Sequence, residues 1–212
     1  MPDTPHSDNL QAASERVRVA CMISGGGRTL VNLADRADSA DLPIEIALVI
    51  ASGECVGVER ARDRGLEVII ERGVIPTERL GELLAAARVE WLLLCGYLKL
   101  VRIPDGFAER VVNIHPALLP KFGGPGMYGD RVHRAVLEAG ERESGCTVHL
   151  CDEEFDRGEI VLQHRCAVEP GDSVESLAAR VFELEKRAYP EALRTLLART
   201  AEAGSRGAGV QP

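Results

Sequence analysis

Through the first two-thirds of the chain, short unbroken apolar runs alternate with segments whose apolar residues recur every three or four positions. "VRVACMISGGG" reads as a strand running into a glycine loop at Gly25, Gly26 and Gly27. "RTLVNLADRA" follows with helical spacing at Leu30, Leu33 and Ala37. "IEIALVIA" is a second strand and "VGVERARDRG" a second helix, with Gly65 where a C′ glycine belongs. "LEVII" and "WLLLCGYLKLV" give a third and fourth strand. The helical pattern "TERLGELLAAARVE", with Thr77 at the N-cap, lies between them. "VVNIH" is a fifth strand. Strand–helix alternation implies crossover units and a parallel sheet, and unbroken apolar strands are those covered on both faces. The expected fold is α/β, one doubly wound, mostly parallel sheet with helices on both faces.

The pattern changes after "RVHRAVLEAG", a helix closed by Gly140. "GCTVHLC" and "EIVLQHRCAV" read as an antiparallel hairpin joined by "DEEFDRG". The stretch from Ser173, a candidate N-cap, to Thr200 is a long helical pattern, and Pro190 inside it predicts a kink or break. Residues 1–16 are expected to form a disordered lead-in, not a signal peptide, because no basic region precedes an apolar one. Residues 17–200 form one domain, and the Gly- and Ala-rich 201–212 are expected to be a flexible tail.

Composition narrows the partners. A chain of 212 residues buries roughly 70% of its unfolded surface without staples. Its 33 acidic residues outweigh 25 basic ones for a net charge of −8, which argues against nucleic acid. No apolar run approaches the length of a membrane span. The six cysteines include no CxxC pair and read as free thiols of a reducing cytoplasm. Neither CxxC nor HExxH spacing occurs, so no metal site is expected.

Three segments carry candidate chemistry. "SGGGRTL" joins the first strand to the first helix, where inward N–H groups and the helix dipole suit a phosphate. Arg28 and Thr29 could both reach a phosphate oxygen, although a Gly-rich turn is also a common connector, and the full dinucleotide fingerprint is absent. Asn113 and His115 share one face of an extended strand, and Pro116 holds His115 extended. They sit at the C-terminal edge of a parallel strand, where open α/β sheets bind ligands, or they merely cap that edge. "DEEFDRG" is a solvated acidic turn, or it supplies one carboxylate, Asp156, to His115. His149 reads equally as core or site, and His133 carries no signal.

Together these segments resemble the phosphoribosylglycinamide formyltransferases, folate-dependent enzymes of purine synthesis, over roughly Val17 to Leu197. "NIHPALLPKF" is similar to that family's NIHPSLLP, and "CTVHLCDEEFDRGEIVLQ" to its TSVHxxxxxxDxGPVIxQ. "SGGGRTL" lies where the family has SGNGSNL, and "VERARDRG" matches LERARxxG. The resemblance implies a Rossmann-like formyltransferase domain with 10-formyltetrahydrofolate as co-substrate and no metal. It implies that Asn113 and His115 stabilise the oxyanion formed when an amine attacks the formyl carbon, with Asp156 keeping His115 protonated. Gly26, Gly27, Arg28 and Thr29 would hold the phosphate of glycinamide ribonucleotide, and Glu185 its ribose. Leu98, Lys99, Leu100, Val101, Asn113 and Asp152 would border the folate. The implied partners are small molecules, with neither nucleic acid nor membrane, in a cytoplasmic monomer or homodimer.

The chain departs from the family at Gly26, Arg28 and Thr29 in the phosphate loop and at Lys99 in the folate strand. Its "GGPGMYGD" loop is longer, and the family's folate-contacting arginine has only Arg72 and Arg79 as candidates. A formyltransferase acting on a nucleotide-linked amino sugar, or a formyltetrahydrofolate hydrolase, are the alternatives.

Overall fold

The computed structural model describes residues 16–207. Seven strands form one sheet in the order β3-β2-β1-β4-β5-β6-β7. Strands β1 (Val17–Ile23), β2 (Ile44–Ala51), β3 (Val68–Ile70), β4 (Trp91–Leu94) and β5 (Val111–His115) are parallel. Strands β6 (Glu143–Leu150) and β7 (Ile160–Ala167) add an antiparallel hairpin at one edge, as the sequence pattern implied.

Side-chain alternation along β1 sets the layers. Val19, Cys21 and Ile23 pack with α1 (Arg28–Asp38), α2 (Val56–Asp63) and α5 (Val174–Gly207), which lie on one face. Ala20 and Met22 pack with Leu80, Leu83 and Leu84 of α3 (Thr77–Ala86) on the other. α4 (Asp130–Glu138) joins the first layer through Val136. Chain order runs outward from β1 through β3, then resumes across β1 at β4. The reversal leaves a crevice at the carboxyl ends of β1 and β4, where open α/β sheets take ligands.

Several expectations needed correction. The apolar run from Trp91 leaves the sheet after Leu94, where pairing with β5 ends at Asn113. Pro76 occupies the N-cap of α3, and Thr77 is its first residue. Ser173 does cap α5: its Oγ accepts the Ser176 N–H at 3.2 Å while Ser176 Oγ accepts the Ser173 N–H at 2.9 Å. Pro190 does not break α5, which is continuous over 34 residues. Proline removes the N–H that would bond the Lys186 carbonyl. Asn32 Nδ2 of α1 donates to that carbonyl instead, at 3.2 Å. The helix also runs through residues 201–207, where a flexible tail was expected. Residues 1–15 of the expected lead-in and 208–212 of the tail lie outside the described residues.

Tyr189 of α5 is fully buried beneath the crevice. Its hydroxyl sits 2.9 Å from the Val112 carbonyl and 3.2 Å from that of Leu94, tying the ends of β4 and β5. Tyr189→Phe removes this donor from two buried carbonyls. It is expected to cost on the order of 1–2 kcal/mol, read as a lower urea midpoint with unchanged slope.

Candidate active site

β5 presents Asn113 and His115 on one face, and Ile114 packs into the opposite core. Both border a cleft of about 410 Å³ at the crevice. β6 pairs in register so that His149 stands opposite Asn113 and Thr147 opposite His115. The turn after β6 brings in Asp156, whose backbone is left-handed at φ 58°. The three residues expected to do chemistry therefore meet, and His149 joins them.

His115 is 3% exposed. Its Nε2 lies 2.7 Å from the Phe122 carbonyl, an acceptor only, so Nε2 carries the hydrogen. Its Nδ1 faces Asp156 Oδ2 at 3.5 Å. Gly124 N–H donates to the same Oδ2 at 2.9 Å, so the main chain after β5 braces both groups. Burial pulls the His115 imidazole below its ordinary value; the Asp156 carboxylate and Phe122 carbonyl oppose this, and His149 adds to it. The Asp156 carboxylate expected to keep His115 protonated lies 3.5 Å from Nδ1, and desolvation of the ring works against it. Burial also pushes the Asp156 carboxyl upward, but the His149 and His115 rings and the Gly124 N–H outweigh it and hold it below the usual carboxylate range. The two directions compete, because a neutral His115 helps Asp156 less. The Asp156 direction stands on the Gly124 N–H, which does not depend on either ring's charge.

Asn113 Nδ2 lies 3.1 Å from His149 Nε2 and 3.4 Å from Asp156 Oδ1.

The glycine loop forms another wall of the cleft. Gly27 caps α1 with φ 67°, and its Cα lies so near α2 that a Cβ there would meet Gly57 Cα at 2.7 Å. Gly57 N–H donates to the Gly25 carbonyl at 2.9 Å, and Arg60 Nη1 to that of Gly26 at 2.7 Å. Gly26, Gly27, Arg28 and Thr29 all border the cleft. Arg28 is the first residue of α1, a position that disfavours a cation. It makes no ion pair among the described residues and lies over the Phe182 ring at 4.1 Å. Glu185, one turn along α5 from Phe182, shares the cleft. Burial raises its carboxyl to about 7, against the lowering influence of Arg28.

Leu98, Lys99, Leu100, Val101 and Asp152 border the cleft at its other end. Ser24 Oγ accepts the Leu98 N–H at 3.0 Å and the Ser52 hydroxyl at 2.8 Å, so the Leu98 N–H is already taken. Asp152 Oδ1 accepts the Glu154 N–H at 2.9 Å, which shapes the turn. Arg79 is bound to Glu71 at 2.7 Å and, like Arg72, does not line the cleft. The loop 123–130 does line it, through Gly124, Met127 and Tyr128 among others. His133 of α4 lines it as well, 5% exposed, with its Nδ1 unpartnered among the described residues. Its place beside Val132 and before Val136 on a buried helix face was the one available signal.

No group of three or more His, Cys, Asp and Glu side chains among the described residues is placed to hold a metal ion. No described helix is long and apolar enough to cross a membrane.

A family model described as formyl transferase matches residues 17–193. The chain belongs to the formyl transferase family. The chain is 38% identical to a protein of Arabidopsis thaliana named phosphoribosylglycinamide formyltransferase, chloroplastic, over 87% of this chain and 66% of that one. It is 34% identical to the phosphoribosylglycinamide formyltransferase of Haemophilus influenzae, over 82% of this chain and 84% of that one. The chain spans just under two-thirds of the plant relatives, 66% and 65% of their lengths. A solved glycinamide ribonucleotide transformylase 1 from Symbiobacterium toebii matches with a TM-score of 0.79 at 36% identity, over 88% of this chain and 90% of that chain. The fold is therefore the Rossmann-like one that the resemblance implied.

Proposed function

We propose that this formyl transferase moves the formyl group of 10-formyltetrahydrofolate to the amine of glycinamide ribonucleotide. The observation that carries the reading is the meeting, in one cleft, of His115 and Asp156 with a glycine loop at a helix N-terminus. The names of the relatives above support the same pair of substrates. Six free thiols among the described residues support a cytoplasmic setting.

The substrates are placed by chemistry. The N-terminus of α1 and the unpaired Arg28 take the acceptor phosphate, and Glu185 the ribose hydroxyls. The Leu98–Val101 segment and the Asp152–Asp156 turn take the folate. The acceptor amine attacks the formyl carbon, a C–N bond forms, and the carbonyl oxygen becomes an oxyanion. A free enzyme with neutral His115 receives the amine's proton on Nδ1, the nitrogen that the Phe122 carbonyl leaves unprotonated. The imidazolium then faces both the oxyanion and Asp156. The bond to the folate N10 breaks, N10 takes the proton, and formylated amine and tetrahydrofolate leave.

The test is release of tetrahydrofolate from the formyl donor. Release that depends on glycinamide ribonucleotide, with formylated product, is the expected outcome. Release of formate without acceptor identifies a hydrolase instead. Arg28→Ala should raise the acceptor KM by about tenfold, the scale of one charged hydrogen bond, with kcat little changed. Steady-state kinetics at varied acceptor checks this, and a fall in kcat alone would remove Arg28 from the phosphate site.

A further inference from the structure

We infer that Phe182 is a positioning residue whose ring holds the Arg28 guanidinium beside the N-terminus of α1 before any anion arrives. Arg28 is the first residue of α1 and is exposed, so its long side chain has many rotamers open to it. The helix dipole pushes a cation away from this end. No carboxylate among the described residues holds the guanidinium in an ion pair. What it does have is the Phe182 ring, 4.1 Å from its central carbon. A cation over an aromatic face is attracted about as strongly as a helix N-terminus repels it. The ring therefore offsets the repulsion that would swing Arg28 away from the glycine loop. Lys186, the other cation near this ring, stands farther off at 5.9 Å and is paired with Glu183 at 2.6 Å. The aromatic face is left to Arg28.

Stacking leaves the guanidinium able to bind. It engages the flat face, whereas the five N–H groups lie in the guanidinium plane and point outward from its edge. Arg28 and Phe182 both line the cleft, next to Gly26, Gly27 and Thr29. An arriving tetrahedral oxyanion meets the guanidinium edge on one side and the first N–H groups of α1 on the other, and both attract it. A free arginine would lose its rotamer freedom at each binding event. The ring has already removed part of that freedom, so less is lost when the anion binds. Phe182 does this without touching the anion, because an aromatic ring offers it no donor. Helix α5 thus serves the acceptor end of the cleft twice, through Glu185 directly and through Phe182 by way of Arg28.

This inference rests on the proposed reading for the identity of the anion, the acceptor phosphate. The stacking does not. Proton NMR of the ligand-free protein reads the stacking directly. The Arg28 side-chain δ protons are expected upfield of their position in Phe182→Leu, through the ring current. Unshifted δ protons would overturn the inference whatever the enzyme's substrate proves to be. Titration with inorganic phosphate, followed at the Gly27 and Thr29 amides, is the second arm. Phe182→Leu is expected to weaken phosphate binding by about 2–5-fold, the scale of an exposed cation–π contact. Phe182→Tyr keeps the ring and is expected to recover most of that loss. In an Arg28→Ala background, Phe182→Leu should change phosphate binding little, since the ring acts only through the guanidinium. Equal weakening in the Leu and Tyr variants, or additive losses in the double variant, would overturn the positioning role. Kinetics supply the third arm: the KM for glycinamide ribonucleotide should rise in Phe182→Leu by the same factor as the phosphate Kd, with kcat little changed. Weakened phosphate binding with an unaltered KM would uphold the role of Phe182 and end the acceptor assignment.

Discussion

His115→Ala is expected to lower turnover on the order of 10²–10³-fold while the folate remains bound. Its Nδ1 faces Asp156 at 3.5 Å and the ring lines the cleft, so alanine removes the group that carries the proton and faces the oxyanion. Asp156→Asn tests the same unit from the other side. Burial already holds the His115 imidazole below its ordinary value, and the Asp156 charge is the foremost opposing influence. Removing that charge lowers the imidazole further. A neutral ring is needed to accept the amine's proton, so activity rises with pH through the His115 value. The acid limb of the pH–rate profile should therefore move to lower pH in Asp156→Asn. Turnover should fall as well, because the imidazolium formed during transfer loses its counter-charge. The double variant should lose little beyond His115→Ala alone, as residues acting together do. Additive losses would separate the two residues and sink the mechanism. The depressed imidazole also bears on stability. Its contribution is present above the unfolded histidine value and is lost as pH falls from there through the folded one.

The second large effect is expected at the contact between the glycine loop and α2. A Cβ at Gly27 meets Gly57 Cα at 2.7 Å, and one at Gly57 meets the Gly25 carbonyl oxygen at 2.7 Å and Ile23 Cδ1 at 2.9 Å. These are backbone and core atoms, which cannot step aside as a flexible side chain does. Gly27→Ala adds the strain of a left-handed φ. Overpacking and strain together should cost on the order of 2–4 kcal/mol. For a chain of this size that lowers Tm by about 10 °C. Gly57→Ala should also weaken phosphate binding without touching the loop's own sequence, because α2 would be pushed off the loop. Thermal denaturation with and without inorganic phosphate reads both effects. A Gly57→Ala protein that keeps the wild-type Tm would show that the loop does not depend on this approach.

What the sequence revealed, and what it hid, follows from range. Asn113 and His115 were legible because strand alternation and Pro116 are local rules, and the C′ glycines Gly65 and Gly140 were legible for the same reason. His149 was not, since it gains its meaning from a strand register set 36 residues away. The fate of Pro190 depended on an amide 154 residues distant in the chain. Phe182 read as one more apolar residue of a long helix, and nothing local marked it as the support of a guanidinium. The fourth strand was drawn too long because an apolar run cannot say whether it faces a core or a ligand. Residues Cys95 to Val101 border the cleft rather than extend the sheet. The balance at His115 was hidden as well: a carboxylate was legible through the resemblance, but the depth of burial that opposes it appears only once the strands are stacked.

The single hydroxyl of Ser24 stands where the glycine loop meets the segment after β4. It accepts from Leu98 on one side and Ser52 on the other, and the Ser24 N–H donates to the Gly96 carbonyl at 3.1 Å. On the proposed reading, the residues for the acceptor come from α1 and α5, and those for the formyl donor from the segments after β4 and β6. Ser24 is a hinge pin between these halves. The cleft is thus modular in the engineer's sense. A new amine can be sought by rewriting positions 26, 28, 29, 182 and 185. The donor half, braced from Ser24 and from β5, would be carried over unaltered.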